Sequence, residues 1–196
     1  PNLAPIQVVI VPIFKGKDQL EEISIVAKKI KDELESKNVR VQFDNRENLK
    51  PGFKFAEHEM KGIPIRIAIG PKDIEKNQLE LVRRDTEEKI FIKQNFVLNE
   101  VEKTLKEIHV NLFERAKKFL EENITEVDNY EDFKNTISQK GGFVYAYWDG
   151  TTETEEKIKK ETKATIRCIP YSSSSKGKCV LTGKESSQKV YFAKSY

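Results

Sequence analysis

The first forty residues contain one long apolar run followed by one helical repeat. Residues 6–14 are almost continuously apolar, which is typical of a strand covered on both faces. From Asp18 onward, apolar residues recur every three or four positions, which predicts a helix that ends near Asn38. Glu21 follows at capping-box spacing, so we expect Asp18 to cap this helix. The apolar positions of the helix are Leu20, Ile23, Ala27, Ile30 and Leu34.

The next fifty residues switch between the two periods of regular structure. Pro51 and Gly52 are typical of a turn that opens a short helix, and Gly62 closes that helix. Isoleucines at alternate positions from 63 to 69 face one side of a sheet and place Arg66 on the other side. This order predicts an α/β fold with a mixed sheet flanked by helices. The elements are predicted at residues 39–43, 53–61, 63–69, 78–84 and 89–93.

A long helix and a second, smaller α+β domain are predicted after this sheet. The helix, at residues 98–122, carries one apolar stripe: Leu98, Val101, Leu105, Ile108, Leu112, Ala116 and Phe119. We divide the chain into a first domain (1–97), a linking helix (98–123) and a C-terminal domain (124–196). The C-terminal elements are helices and strands predicted at residues 130–139, 143–148, 153–163, 165–170, 179–181 and 189–192, with a Ser-rich loop at 171–177.

Composition limits the possible partners. The chain has 196 residues, of which 34% are charged, yet its net charge is only +3. Contact with a nucleic acid would therefore depend on local clusters of charge. We find no apolar run near the ~20 residues that a membrane span needs, and no signal peptide, so we expect no membrane partner. The two cysteines favour a reducing cytoplasm. The chain starts at Pro1 and its only methionine is Met60, so we expect a fragment of a longer protein.

Side chains suited to an unpaired nucleobase converge around the predicted strand at 63–69. The strand ends at Gly70, and loops after strands commonly carry ligand groups in α/β folds. Guanine offers two adjacent donors beside one carbonyl acceptor, so a carboxylate with a Lys or Arg can recognise it while an aromatic ring stacks on it. Such side chains are available at Phe55, Glu59, Arg66, Lys72 and Asp73.

The same region resembles a known family. The segment PGFKFAEHEMKGIPIRIAIGPKD is similar to the anticodon-binding domain of prolyl-tRNA synthetases of the eukaryote- and archaeon-like form. The likeness extends to APIQVVIVPIF, ETEEKIKKETKATIRCIP and the terminal VYFAKSY, and so covers nearly the whole chain. It implies the class II synthetase anticodon-binding fold.

The resemblance also implies residue roles. The proline anticodon ends in two guanines. Glu59 with Lys72, and Asp73 with Arg66, would each read one of them, while Phe55 provides a stacking surface. Lys89, at the start of the next strand, is a further carried-over position. Each good bidentate pair would contribute ~1–3 kcal/mol of discrimination. From the charges alone, the same residues would be ordinary surface ion pairs.

Members of this family can carry zinc on four cysteines of the C-terminal domain. The matching positions here are Asp149, Thr154, Cys179 and Thr182, so only one thiol remains. Structural zinc sites need about four soft ligands in a tetrahedron, which one Cys with one Asp cannot provide, so we predict no zinc. Apolar packing would then hold the domain together, with Cys168 as a small buried residue.

The resemblance implies partners as well. They are the anticodon stem-loop of tRNA(Pro) and the catalytic domain of the same polypeptide, which Tyr196 at the chain end would contact. ATP and Mg²⁺ would serve the whole enzyme, a homodimer that ligates proline to tRNA(Pro). We expect this piece to be inactive and to bind no cofactor, since it has neither a Gly-rich phosphate loop nor a catalytic motif. We expect it to be a monomer, because in this family the catalytic domains form the dimer.

Three alternatives stay open. The first is the equivalent domain of a threonyl-, histidyl- or glycyl-tRNA synthetase, against which the C-terminal extension argues. The second is a stand-alone RNA or protein interaction module of the same fold. The third is a small hydrolase that uses Asp44 and Glu59 as paired carboxylates.

Overall fold

The computed structural model describes residues 1–171 and 176–194. It contains two compact units, which we call unit 1 (Pro1–Glu114) and unit 2 (Arg115–Tyr196). The boundary falls inside the long helix, whereas the sequence pattern placed boundaries at the two ends of that helix. In the described parts of the chain, no helix is long and apolar enough to cross a membrane.

Unit 1 is built around a five-stranded mixed sheet, as the sequence predicted. The strand order is β2-β1-β3-β4-β5, with β1 parallel to β2 and β3, and with β4 antiparallel to both of its neighbours. The elements in chain order are β1 (Val8–Pro12), α1 (Lys17–Glu35), β2 (Val41–Phe43), α2 (Pro51–Met60), β3 (Ile65–Ile69), α3 (Pro71–Glu75), β4 (Gln78–Arg83), β5 (Lys89–Lys93) and α4 (Val97–Glu122).

The two faces of this sheet are covered differently. One face forms the main core with α1 and the first turns of α4, through side chains such as Ile10, Ile67 and Leu81. The other face packs a smaller cluster in which Val9 and Val11 contact residues near α2. Strand β1 is buried on both faces, as predicted, and this burial explains its continuous apolar run. Helix α2 covers only part of this second face, which we call the open face of the sheet.

Local details of unit 1 differ from the prediction. Helix α1 begins at Lys17 after Gly16, without a side-chain cap, so Asp18 lies inside the first turn. There its charge still favours the positive end of the helix dipole. Ile63 precedes the strand and packs in the smaller cluster, away from the other three isoleucines. Lys72 lies in α3, a short helix that the sequence pattern did not predict.

Unit 2 is a small α+β unit. Its four-stranded sheet has the order β6-β7-β11-β8, and β9 pairs with β10 in a separate hairpin. The elements are β6 (Ile124–Glu126), α5 (Tyr130–Asn135) continued by a π-helical turn (Thr136–Lys140), β7 (Phe143–Trp148), α6 (Thr152–Thr162), β8 (Ala164–Cys168), β9 (Gly177–Lys178), β10 (Glu185–Ser186) and β11 (Gln188–Lys194). The core includes Phe133 and Phe192, whose rings meet edge to face with centroids 5.1 Å apart.

Several predictions for the second half were wrong. Cys168 ends the edge strand β8 and is exposed rather than buried. Ile169, the next residue, is exposed as well. The predicted strand at 179–181 is instead the turn region between β9 and β10. The apolar stripe of α4 is buried at Val101 and Ile108, but Phe119 near the helix end is exposed.

Candidate nucleic-acid interface

Strand pairing brings three charged side chains and one aromatic ring onto the open face of the unit 1 sheet. Arg66 in β3 is paired with Val82 in β4, which is paired with Lys89 in β5. Two residues along each strand, Glu80 of β4 is paired with Phe91 of β5. Paired residues point to the same face, and so do residues two positions apart. Arg66, Glu80, Lys89 and Phe91 therefore share one surface.

The charges on this surface form a connected network. Arg66 Nη1 donates to Glu80 Oε1 at 3.4 Å, and Lys89 Nζ lies 3.0 Å from Glu80 Oε2. Two predicted cations are thus held by one carboxylate that the sequence reading missed. The Arg66 side chain is only 12% exposed, and its buried Nε has no hydrogen-bond partner in the described chain. A buried donor without a partner costs free energy, so Arg66 is held in this position by its other contacts.

Helix α2 completes the surface from above. The Phe55 ring stacks on the Arg66 guanidinium, whose carbon lies 3.6 Å from the ring centroid. Glu59 follows one helical turn later, is exposed, and lines a small pocket together with Phe55 and Arg66. Arg84 donates to the Glu59 backbone carbonyl at 2.9 Å, which leaves the carboxylate available at the pocket rim. The structure therefore brings Phe55, Glu59, Arg66 and Lys89 together.

Lys72 and Asp73 lie in the first turn of α3, at the carboxyl end of β3. The Asp73 carboxylate accepts a hydrogen bond from Gly70 N at 2.9 Å and one from Gln78 Nε2 at 3.4 Å. The carboxylate that contacts Arg66 is thus Glu80, while Asp73 is hydrogen-bonded at the start of α3. Asp73 stabilises the start of α3, which fixes the position of the exposed Lys72.

Sequence reasoning missed Glu80 and Phe91 as site residues. The alternation along these strands was a signal for both residues. In β4, polar residues such as Glu80 alternate with apolar ones, and in β5, Phe91 occupies the same alternate positions as two lysines. In β5, Lys89, Phe91 and Lys93 are exposed and alternate with partly buried isoleucines. Assigning these residues to the Arg66 face requires the register between strands, which the sequence did not provide.

A buried charged cluster anchors α2 beneath this interface. Asp44, which directly follows β2, accepts two hydrogen bonds from Arg46, at 2.8 and 2.7 Å, and lies 2.8 Å from His58 Nε2. Lys54 Nζ donates to the Asp44 backbone carbonyl at 2.9 Å. Lys54, His58 and the Asp44 side chain are all almost completely buried. We call Asp44, Arg46, Lys54 and His58 the anchor cluster.

The electrostatics of the anchor cluster argue against one role in the hydrolase alternative. Burial alone would raise the pKa of Asp44, but hydrogen bonds from Arg46 and His58 hold it well below its usual range. A general acid in a carboxylate pair needs a raised pKa. Asp44 is therefore not suited to act as the general acid of such a pair. Burial also lowers the pKa of Lys54, whose neighbours Asp44 and Arg46 act on it in opposite directions.

Three of the four positions that the sequence analysis assigned to a degenerate metal site take part in a hydrogen-bonded cluster in unit 2. Asp149 accepts hydrogen bonds from the hydroxyls of Thr151, Thr154 and Thr182, at 2.9, 3.0 and 3.0 Å. Burial would raise the pKa of Asp149, but these three hydroxyl donors outweigh it and hold the pKa below its usual value. Cys179 is buried in the same turn as Thr182. We call Asp149, Thr151, Thr154 and Thr182 the threonine cluster.

These side chains do not fit a zinc ion. Threonine hydroxyls are neutral, and here they donate to Asp149 instead of offering lone pairs to a metal. Across residues 1–171 and 176–194, no group of three or more His, Cys, Asp or Glu side chains is placed to hold a metal. Tyr196, expected to contact the catalytic domain, lies outside the described residues.

The fold and comparisons with known proteins agree. Residues 7–108 match the family described as "Anticodon binding domain", and residues 130–196 match "Prolyl-tRNA synthetase, C-terminal". Unit 1 thus belongs to the class of anticodon-binding domains. Similar proteins include those named proline--tRNA ligase from Christiangramia forsetii, Cytophaga hutchinsonii and Flavobacterium psychrophilum, at 53%, 51% and 50% identity over the whole chain.

The chain belongs to the prolyl-tRNA synthetase family and carries its anticodon-binding domain. It spans about 40% of the length of these relatives. The resemblance inferred from the sequence is therefore confirmed.

Proposed function

We propose that this chain binds the anticodon stem-loop of tRNA(Pro), as the part of a cytoplasmic proline–tRNA ligase that selects the tRNA. Amino-acid activation, with its ATP and Mg²⁺, would belong to the remainder of a polypeptide of the relatives' length, and homodimer formation to its catalytic domains. The piece itself would be a monomer without a cofactor. The observation that carries the proposal is the connected set of Arg66, Glu80 and Lys89 beside Phe55 and Glu59 on an open sheet face.

This surface suits a guanine edge. Glu59 and Glu80 can each accept from the ring N–H and the amino group of one base, and the cations can donate to the carbonyl oxygen. Arg66 is held in place by Phe55 and Glu80, so little freedom is lost when it meets a base. Lys72, fixed by the start of α3, would complete the set with Glu59. Carboxylates also repel phosphates, so binding depends on correctly placed bases rather than on bulk charge.

The test is binding of this chain to a proline anticodon stem-loop and to a loop whose two guanines are changed to adenines. At near-physiological salt we expect at least a tenfold preference for the guanine loop, which corresponds to ~1.4 kcal/mol. The Arg66→Ala variant should bring the two affinities together. Arg115→Ala is the matched control, because Arg115 is an exposed residue of α4, and this variant should keep the preference. Equal binding of both loops by the unsubstituted chain would refute base reading by this surface.

A further inference from the structure

The outer strand of the unit 1 sheet presents an aromatic ring between two cations. Strand β5 lies at the edge of the sheet, and its exposed residues Lys89, Phe91 and Lys93 share one face. The alternate residues Ile90 and Ile92 pack against the core on the other face. Phe91 is 60% exposed, whereas its two neighbours in β5 are partly buried on the opposite face.

The position of Phe91 gives this exposure a meaning. It is paired with Glu80, the carboxylate that holds both Arg66 and Lys89, so the ring borders the base-reading network directly. Phe55, the other ring at the site, has the guanidinium of Arg66 against it. Phe91 is thus the more open aromatic surface of the two. Lys93 is fixed nearby through a hydrogen bond from Nζ to the Lys76 carbonyl at 3.3 Å.

We propose that Phe91 is a stacking platform for one unpaired RNA base, flanked by Lys89 and Lys93 as contacts for the adjoining phosphates. The inference rests on the proposed function, since it adds a further nucleotide to the same RNA loop. Aromatic rings alternating with cations are how proteins hold single-stranded nucleic acid, because every base has a face that stacks. A phenyl ring has no donor or acceptor, so Phe91 contributes affinity without reading base identity.

This lack of base reading separates Phe91 from Arg66 in an experiment. We expect Phe91→Ala to weaken binding of the proline stem-loop by about fivefold or more. It should weaken the guanine-changed loop by the same factor, so that the preference between the loops stays unchanged. Phe91→Trp should retain the affinity. Phe113, also 60% exposed but on α4, whose first turns pack against the opposite sheet face, provides the matched control.

The stacked base can be located with RNA loops in which one nucleotide at a time lacks its base. At one loop position, removing the base should cost the unsubstituted chain about as much as Phe91→Ala costs, and the two changes together should cost no more than either alone. Additive losses at every position would overturn the stacking contact. An affinity unchanged by Phe91→Ala would also overturn it. If the unsubstituted chain showed no preference for the guanine loop, that result would instead refute the proposed function.

Discussion

The Asp44→Ala variant is expected to lose about 3–5 kcal/mol of the unfolding free energy of unit 1, because removal of one partner leaves buried charge without compensation. Lys54 and His58 are almost completely buried, and Asp44 is the carboxylate on which both converge. Asp44 also ties α2 to the sheet, since its backbone N–H donates to Ile10 O at 2.9 Å.

The aromatic residues make this effect measurable. All tyrosines and the single Trp148 lie in unit 2, so unit 1 contains neither. Urea unfolding followed by circular dichroism should show the loss, while Trp148 fluorescence reports unit 2. Asp32→Ala, on the exposed side of α1, is the control and should change the unfolding free energy by less than about 0.5 kcal/mol. A loss as small as that for Asp44→Ala would mean that the anchor cluster does not hold α2.

Acidity gives an independent check. The pKa of Asp44 is lower in the folded chain than the ordinary value near ~3.9 that applies when unfolded. Its stabilisation is therefore complete above about pH 4 and is lost as the pH falls further, towards the folded pKa. The difference in stability between the original chain and Asp44→Ala should thus shrink at low pH. A difference that stays constant down to about pH 2 would show that the carboxylate charge is not its cause.

The anchor cluster also links stability to the interface. Phe55 follows Lys54 by one residue, and Glu59 follows His58 by one residue, on the same helix. The buried side of α2 is fixed through Asp44, while the adjacent side presents Phe55 and Glu59 to the pocket. A residue that never contacts RNA can therefore set the geometry of those that would.

The parts that the sequence predicted well are those governed by local period. The apolar run of β1 is continuous because both faces of this strand are buried. The apolar residues of α1 recur at helical spacing because one stripe of the helix is buried, and β3 alternates because its isoleucines face one side of the sheet. Phe55, Glu59 and Arg66 were selected as candidates because they lie in the helix and strand that lead to Gly70, and the resemblance to a known family then gave them roles.

The parts that it missed depend on contacts between distant residues. Glu80 joins Arg66 and Lys89 only through the register of β3, β4 and β5. Asp44 meets Lys54 and His58 across a loop, and a polar residue gives no sign in sequence that it is buried. Cys168 looked like a core residue by type, yet it ends an edge strand, where its side chain has less to pack against.

The threonine cluster adds polar contacts to the apolar core of unit 2. Apolar packing was expected to hold the domain together, and a core around Phe133 and Phe192 is present. In addition, Asp149 and three hydroxyls connect the end of β7, the start of α6 and the turn that contains Thr182. Thr151 is also the N-cap of α6, where its side chain accepts from Thr154 N. A polar cluster thus joins three segments.

The Asp149→Ala variant is therefore expected to lose about 2–4 kcal/mol of the unfolding free energy of unit 2, since hydrogen bonds to a charged acceptor contribute about 1.5–3 kcal/mol each and do not add fully. Trp148 reports the change directly, because it precedes Asp149 and its Nε1 donates to Thr151 O at 3.1 Å. Urea unfolding followed by Trp148 fluorescence is the measurement. Addition of EDTA should leave the transition of the original chain where it is.

Substitutions at threonine separate the hydroxyl from its shape. Thr154→Val keeps the volume of a buried side chain but removes one donor to Asp149, so it should cost about 1–2 kcal/mol. Thr152→Val, exposed in the first turn of the same helix, is the matched control and should cost much less. If EDTA lowered the transition of the original chain, or if Asp149→Ala unfolded like the control, the cluster would not be the metal-free connection inferred here. If both expectations hold, hydrogen bonds to one carboxylate connect the three segments without a metal.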